Sequence, residues 1–413
     1  MFLIILLTIV YIAGFYFAPF PYWRSYFILW KQVLFCRERI IHAGARCRQI
    51  LRLLRYAVLC PLWTLLWHLD ELLFPGYKNQ CLRPVFIIGQ PRSGTTFLHR
   101  TLAEDENNFF AVRDIEWRYP YIIIQKLIEF LGLADRLRHI SFWPDTEVGR
   151  KGAKMHRKTL FDWEEDGTFF NACFLHHFFV FFRFPYPELL SYLDNFHDLP
   201  EGFQEHMLNT HRKVIQKIMY LRKGKKIYLS KEVTSHNKME RIQSLYPEAR
   251  FIVMVRPSGD YMNSLMELVR MVTLTKGGID PVAIPGWETV FVERMRQDSL
   301  LLTELCNSKI VRKNQIRLSF DRFTGAVVPS VKYIYNRLEL MPDLSYLQSL
   351  ERVQESQQQR ERGYGYEKRQ FEGFDCFDGF VSETDREHQI ALEGEAGLQN
   401  NPASCTKETK DTA

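Results

Sequence analysis

Pro84-Val-Phe-Ile-Ile-Gly-Gln-Pro-Arg-Ser-Gly-Thr-Thr-Phe-Leu-His99 carries the decisive pattern of this chain. A short apolar run, Val85 to Ile88, enters a turn rich in Gly, Pro and Ser and leaves it as a helix from Thr96 to Ala103. A strand-to-helix turn of this kind aims successive backbone N–H groups and the positive helix end at one point, which suits a phosphate. Gly89 and Gly94 have the separation of a nucleotide phosphate loop, but Thr95-Thr96 stands where such loops continue with lysine, and Arg92 lies inside the turn. The strongest later apolar run, Phe251 to Val255, is followed by Arg256 and not by a carboxylate able to hold Mg²⁺. Arginine at the carboxyl end of a parallel strand can take a phosphate bidentately, and Ser264 follows on the expected helix.

Working outward, further buried strands are expected at Ile227–Leu229 and Ile316–Ser319, and helices at Arg241–Leu245, Tyr261–Thr273 and Val328–Leu338. Strands separated by long helical segments predict an α/β fold, P-loop-like and three-layered around a central parallel sheet. With 413 residues, 46% hydrophobic and 14% aromatic, the chain can bury a sizeable core, which excludes a mainly disordered protein. Between Arg24 and Arg55 eight basic residues face one acid, Glu38, so most of the formal charge of +6 sits beside the most apolar part of the chain. That placement suits membrane orientation better than nucleic-acid binding.

Met1 to Trp23 has no charged side chain and predicts an N-terminal membrane helix. A single pass is expected, in the endoplasmic reticulum or Golgi of a eukaryote, with the side occupied by the main domain left open. Residues 24–76 hold the basic juxtamembrane stretch and a second apolar segment, Tyr56 to Phe74, which could lie in the interface, pack on the domain or cross back. The main domain is expected over residues 77–375. Residues 376–413 form an acidic tail expected to be disordered, because from Ser382 onward there are seven acids, three bases and no aromatic residue. The eight cysteines show no CxxC pair, so neither zinc site nor disulfide framework is indicated.

Two ordered motifs then bring a family into view. The Gly89–His99 loop resembles the 5′-phosphosulfate loop of the sulfotransferases that use phosphoadenosine phosphosulfate (PAPS), in the version found in their bacterial-like, membrane-associated branch. Tyr246-Pro-Glu-Ala-Arg-Phe-Ile-Val-Met-Val-Arg256 through Ser264 is similar to their 3′-phosphate motif, and Leu229–His236 and Ile316–Phe323 resemble two connecting segments. The resemblance implies that Arg92 contacts the phosphosulfate bridge, that Ser93, Gly94, Thr95 and Thr96 cradle the 5′-phosphate, and that Arg256 and Ser264 bind the 3′-phosphate. It implies PAPS as co-substrate and no metal. The sequence departs from the family at Lys231-Glu-Val, where Lys-Ser-Pro is usual, and Arg362-Gly-Tyr-Gly365 only faintly matches the late cofactor contact.

Sulfuryl transfer needs a base for the hydroxyl proton. Glu165 in Phe161-Asp-Trp-Glu-Glu-Asp-Gly167 is the first candidate, because adjacent carboxylates raise one another's pKa; Glu164 is possible, and His236 matches a family position. The aromatic run Phe169–Pro185 reads first as a core helix and second as an apolar acceptor pocket with His176 or His177 near the hydroxyl. The cluster Arg150, Lys151, Lys154, Arg157 and Lys158 is either a solvated face or an anion contact. The expected acceptor is a hydrophobic or lipid-like alcohol. A kinase or other nucleotide-dependent transferase, and a non-catalytic membrane scaffold with a degenerate loop, are the competing readings.

Overall fold

The structure is a computed structural model that describes residues 1–19, 23–36, 41–176, 180–189, 196–222, 226–233, 238–359 and 369–400. Five strands form one all-parallel sheet: β1 (Pro84–Gly89), β2 (Phe109–Phe110), β3 (Ile227–Glu232), β4 (Arg250–Val255) and β5 (Gln315–Ser319), in the order β2-β3-β1-β4-β5. β1 lies at the centre, with Phe86 opposite Ser230 of β3 and Phe251 of β4. The four expected strands are all present; β2, two residues long, is too short to show a periodicity in sequence.

Alternation along the strands builds the layers, because successive side chains point to opposite faces. Phe86, Ile88, Phe251 and Val253 enter one apolar core, while Val85, Ile87, Ile252 and Met254 enter the other. The helices Thr95–Ala103 and Val327–Leu338 close the second core through Leu98, Leu102, Val331 and Ile334. The first core is larger and is closed by Glu201–Arg222, Ser258–Gly277 and Trp287–Asn307. The three-layer arrangement follows, with the loop after β1 and Arg256 after β4 emerging at the same, carboxyl end of the parallel strands.

The expected boundaries shift at both ends. Residues from 376 onward do not start a disordered tail: Asp375–Asn400 is a helix whose Phe377, Phe380, Val381, Thr384 and His388 are buried. Its acids are spent on partners across β5, where Arg322 pairs with Asp385 (2.6 Å) and Arg317 faces Glu383 and Glu387. Charge counting hid a helical stripe. Residues 401–413 lie outside the described ones.

At the N-terminus the expected anchor, 1–23, contains a helix of 15 residues, Phe2–Tyr16, about 22 Å long and short of a bilayer's hydrocarbon core. The one described helix long and apolar enough to cross a membrane is Ala43–Leu73, which unites the basic stretch with the second apolar segment. Its inner face is docked on the main domain. Asp70, fully buried, accepts from the backbone N–H groups of Ile122 (2.7 Å) and Ile123 (3.1 Å) and pairs with Lys217 (3.2 Å). Phe2–Tyr16 lies alongside, with Gly14 against Pro61, where an added Cβ would meet the proline ring at 2.5 Å. Leu51, Leu54, Val58, Leu62 and Leu65 remain exposed on the other face.

Candidate functional site

Two glycines shape the turn after β1. A Cβ on Gly89 would lie 2.2 Å from the Met254 carbonyl oxygen, so only glycine lets β1 and β4 run so close there. Gly94 has φ 90° and would meet the Phe320 ring at 2.7 Å if it carried a side chain. Arg92 is itself left-handed, φ 69°, an uncommon conformation for a residue with a Cβ that turns its side chain out of the loop. The nine-residue helix Thr95–Ala103 then begins directly beneath the turn, presenting its free N–H groups.

Arg92 reaches towards β4's side of the site. Its Nε donates to Ser264 Oγ (3.0 Å) and its Nη1 to the Met155 carbonyl (3.3 Å). Arg256, 7% exposed, donates through Nη1 to the Arg92 carbonyl (3.3 Å) and stacks over Phe320 at 4.3 Å. Its buried Nε has no hydrogen-bond partner among the described residues. A cation cluster with a serine hydroxyl and an unsatisfied guanidinium N–H is suited to a phosphate.

On the β3 side, Lys231 Nζ donates to Thr96 Oγ1 (3.1 Å) and pairs with Glu165 (3.0 Å). Lys158 links Glu164 and Asp114, each at 3.0 Å. Burial alone would push Glu164 up, yet the ammonium groups of Lys158 and Lys231 hold it well below the usual carboxylate range. Glu165 goes the other way: burial raises it, Lys231 opposes this, and the charge of Glu164 adds to the rise. Two neighbouring carboxylates with opposed shifts separate an ion-pair partner from a proton acceptor. A cavity of about 850 Å³ joins both clusters and extends to the helix Ala43–Leu73.

The sequence profile of the sulfotransferase family matches residues 84–343, well over half of the chain. The chain belongs to the sulfotransferase family. Among solved structures it resembles sulfotransferase STF1 from Mycobacterium tuberculosis H37Rv, with a TM-score of 0.59 and 14% identity over 91% of this chain and 92% of that one. It also resembles sulfotransferase STF9 from Mycobacterium avium, with a TM-score of 0.60 and 14% identity over 90% and 89% of the two chains. At that identity the likeness establishes the fold. No curated protein sequence matches the chain.

In this sulfotransferase Arg92, Gly94, Thr95, Thr96, Glu164, Glu165, His176 and Arg256 all line the cavity. Ser264 sits behind Arg92 at 1% exposure. Ser93 does not face the cavity: it is buried, and both its N–H (3.2 Å) and its hydroxyl (2.6 Å) donate to the Gln90 carbonyl inside the turn. His236, His177 and Arg362–Gly365 lie outside the described residues. Among those described, no three His, Cys, Asp or Glu side chains converge as a metal site.

Lys231 and His156 are cavity residues that the sequence did not single out for the site. Lys231 had registered only as a departure from a motif, and His156 sits unnoticed inside the basic cluster. That cluster divides: Arg150 and Lys151 pair on the surface with Asp145 and Glu267, both at 2.6 Å, whereas Lys154, Arg157 and Lys158 face the cavity.

Burial holds His156 down to about 3 and His99 down to about 4, so both are neutral in the folded protein at physiological pH. Their folded pKa values lie below the unfolded one, about 6.5. The stability they preserve is complete above pH 6.5 and is lost as pH falls towards 4, because only the unfolded chain takes up the protons. Urea midpoints measured from pH 7.5 to 5 should fall, with uptake of about two protons on unfolding near pH 5 from these groups. A midpoint independent of pH over that range would contradict their burial.

Proposed function

We propose that the protein transfers a sulfuryl group from PAPS to the hydroxyl of a hydrophobic acceptor delivered at a membrane surface. The observation that supports it best is the single cavity joining the Arg92–Ser264–Arg256 cluster to the Thr96–Lys231–Glu165 unit. The unpartnered Arg256 Nε fits a phosphate ligand. In this reading PAPS supplies the activated sulfuryl group, whose bond to a phosphate oxygen breaks as its bond to the acceptor oxygen forms. The N–H groups at Gly94, Thr95 and Thr96 hold the 5′-phosphate, and Arg256 with Ser264 holds the 3′-phosphate.

Arg92 and Lys231 place positive charge where the departing phosphate gains its negative charge. Glu165 accepts the hydroxyl proton, its raised pKa matching that task. The exposed apolar face of Ala43–Leu73 together with Ile4, Ile5, Ile9 and Ile12 of the first helix supplies the membrane contact.

Arg256→Ala tests the donor site. Removing one charge-assisted phosphate grip should weaken phosphoadenosine phosphate (PAP) binding by about one to two decades, roughly 1.5–3 kcal/mol, in calorimetric titration. Affinity equal to the wild type would remove Arg256 from the site.

A further inference from the structure

The helix Ala43–Leu73 is held to the main domain along one face over its whole length. At its start the His42 ring hydrogen-bonds the Gly278 carbonyl (3.2 Å), Gln49 Oε1 accepts from the Tyr186 hydroxyl (2.7 Å), and Arg52 Nη2 donates to the Lys276 carbonyl (2.8 Å). Further along, Tyr56 meets Phe174 with ring centres 5.0 Å apart, and Trp63 stacks on Tyr121 at 5.5 Å. At the far end Lys217 lies over Trp67 and pairs with Asp70. From His42 to Asp70 the helix runs about 42 Å, against ~30 Å for a bilayer's hydrocarbon core. Whichever part of it crossed a bilayer, several of these contacts would have to enter hydrocarbon or break. Even the most apolar stretch, from Tyr56 onward, would take Asp70 and Lys217 with it.

The opposite face is bare and apolar. Leu51, Leu54, Val58, Leu62 and Leu65 recur every three or four residues and are exposed, half a turn away from the docked residues. The helix Phe2–Tyr16 runs parallel along the flank of this stripe. Tyr11 Oη donates to the Ala57 carbonyl (3.0 Å), Gly14 lies against Pro61, and the His68 ring bonds the Phe17 carbonyl (3.0 Å). Ile4, Ile5, Leu7, Ile9, Val10 and Ile12 of this helix are each at least half exposed.

A third helix, Trp23–Phe35, packs antiparallel to the long one: Tyr26 Oη donates to the Leu53 carbonyl (2.8 Å), and Arg46 donates to the Val33 (2.9 Å) and Cys36 (2.8 Å) carbonyls. Its exposed side alternates Arg24, Phe27, Lys31 and Leu34 at helical spacing. Among the described residues the first acid in the chain is Asp70, so the apolar face is bordered by cations alone. Cations beside an exposed apolar face match anionic headgroups above acyl chains. A second copy of the chain would set the same cations against one another.

We infer that Phe2–Tyr16 and Ala43–Leu73 lie flat in one leaflet of an anionic bilayer, with acyl chains covering their outer faces, so that the chain enters the membrane from the side of its main domain and never crosses. The inference rests on the membrane contact of the proposed function and gives that contact its geometry.

The test uses the full-length protein reconstituted into sealed phosphatidylcholine vesicles with and without phosphatidylserine. Nitroxide labels are placed at Leu51→Cys, Val58→Cys and Leu65→Cys, with Cys36, Cys47, Cys81, Cys376 and Cys405 replaced by Ser, and their depth is read from collisions with oxygen and with an aqueous nickel chelate. All three labels should sit at one shallow depth; a crossing helix would separate neighbouring labels by about 10 Å. Phosphatidylserine should strengthen vesicle binding, and Arg24→Gln/Lys31→Gln should weaken it about tenfold, with PAP affinity unchanged as the check on folding. A depth gradient along the three labels, or labels shielded from both reagents by a second protein copy, would overturn the inference while the donor site stands. Binding indifferent to phosphatidylserine would overturn the anionic partner. Protein that binds PAP but no vesicle would overturn the membrane contact of the proposed function, and the inference with it.

Discussion

Replacing Glu165 with Gln should lower kcat by about 10²- to 10⁴-fold while leaving PAP affinity unchanged, because the substitution removes a proton acceptor and keeps the side chain's size. Three observations converge on this residue. It is buried, it lies 3.0 Å from Lys231, and Lys231 in turn binds the Thr96 hydroxyl at the start of the loop helix. Glu164 beside it is held ionised by Lys158 and Lys231 and serves as a fixed charge. As the proposed base Glu165 acts deprotonated; burial raises its pKa above the usual carboxylate value, so activity should fall on the acid side at a higher pH than an ordinary carboxylate would give. That acid limb should vanish in Glu165→Gln. Steady-state rates across pH, with PAP calorimetry as the control, decide the matter; full turnover in the variant would remove Glu165 from the base role.

The second large effect is on stability. Asp70→Ala should destabilise the protein by about 3–5 kcal/mol, the range for removing one partner of a buried ion pair. Burial pushes Lys217 down to about 8, with Asp70 opposing the shift, and its ammonium also stands 3.5 Å from the centre of the Trp67 ring. Without Asp70 the Lys217 charge and the N–H groups of Ile122 and Ile123 lose their acceptor together. The double variant Asp70→Ala/Lys217→Met should lose less than the single one, since it leaves no buried charge unpaired. Urea midpoints of the three proteins test this, and a loss below 1 kcal/mol for Asp70→Ala would show that the long helix is not docked through this pair.

Where an element is defined locally, its residues were legible in the sequence. β1, β3, β4 and β5 are apolar runs bounded by turns, and the glycines of the β1 loop announce a backbone conformation that needs no tertiary information. Arg256 was legible for the same reason, as a charge abutting an apolar strand. Lys231 and His156 were not, because what defines them is contact across the sheet: Lys231 reaches Thr96 on a helix far away in sequence, and His156 is placed by the fold of a segment that reads only as basic. Charge counting misled twice. It made a tail of Asp375–Asn400, whose acids answer Arg317 and Arg322, and it left Arg52 as a juxtamembrane charge although it lines the cavity.

These placements change what the N-terminal region does in the account. The helix Ala43–Leu73 contributes Arg52, Tyr56 and Trp63 to the cavity wall, so the apolar segment and the catalytic domain form one unit. An acceptor bound there has a lipid-suited surface on the other side of a single helix. Ser93, through its two bonds to the Gln90 carbonyl, shapes the turn from within.

In the proposed function the loop after β1 and Arg256 after β4 bind the adenosine bisphosphate moiety of PAPS. The most direct measurement is calorimetric titration of the detergent-solubilised protein with PAP and, separately, with Mg-ATP. Saturable PAP binding with Mg-ATP much weaker is expected. Saturable Mg-ATP binding to folded protein that does not bind PAP would contradict it.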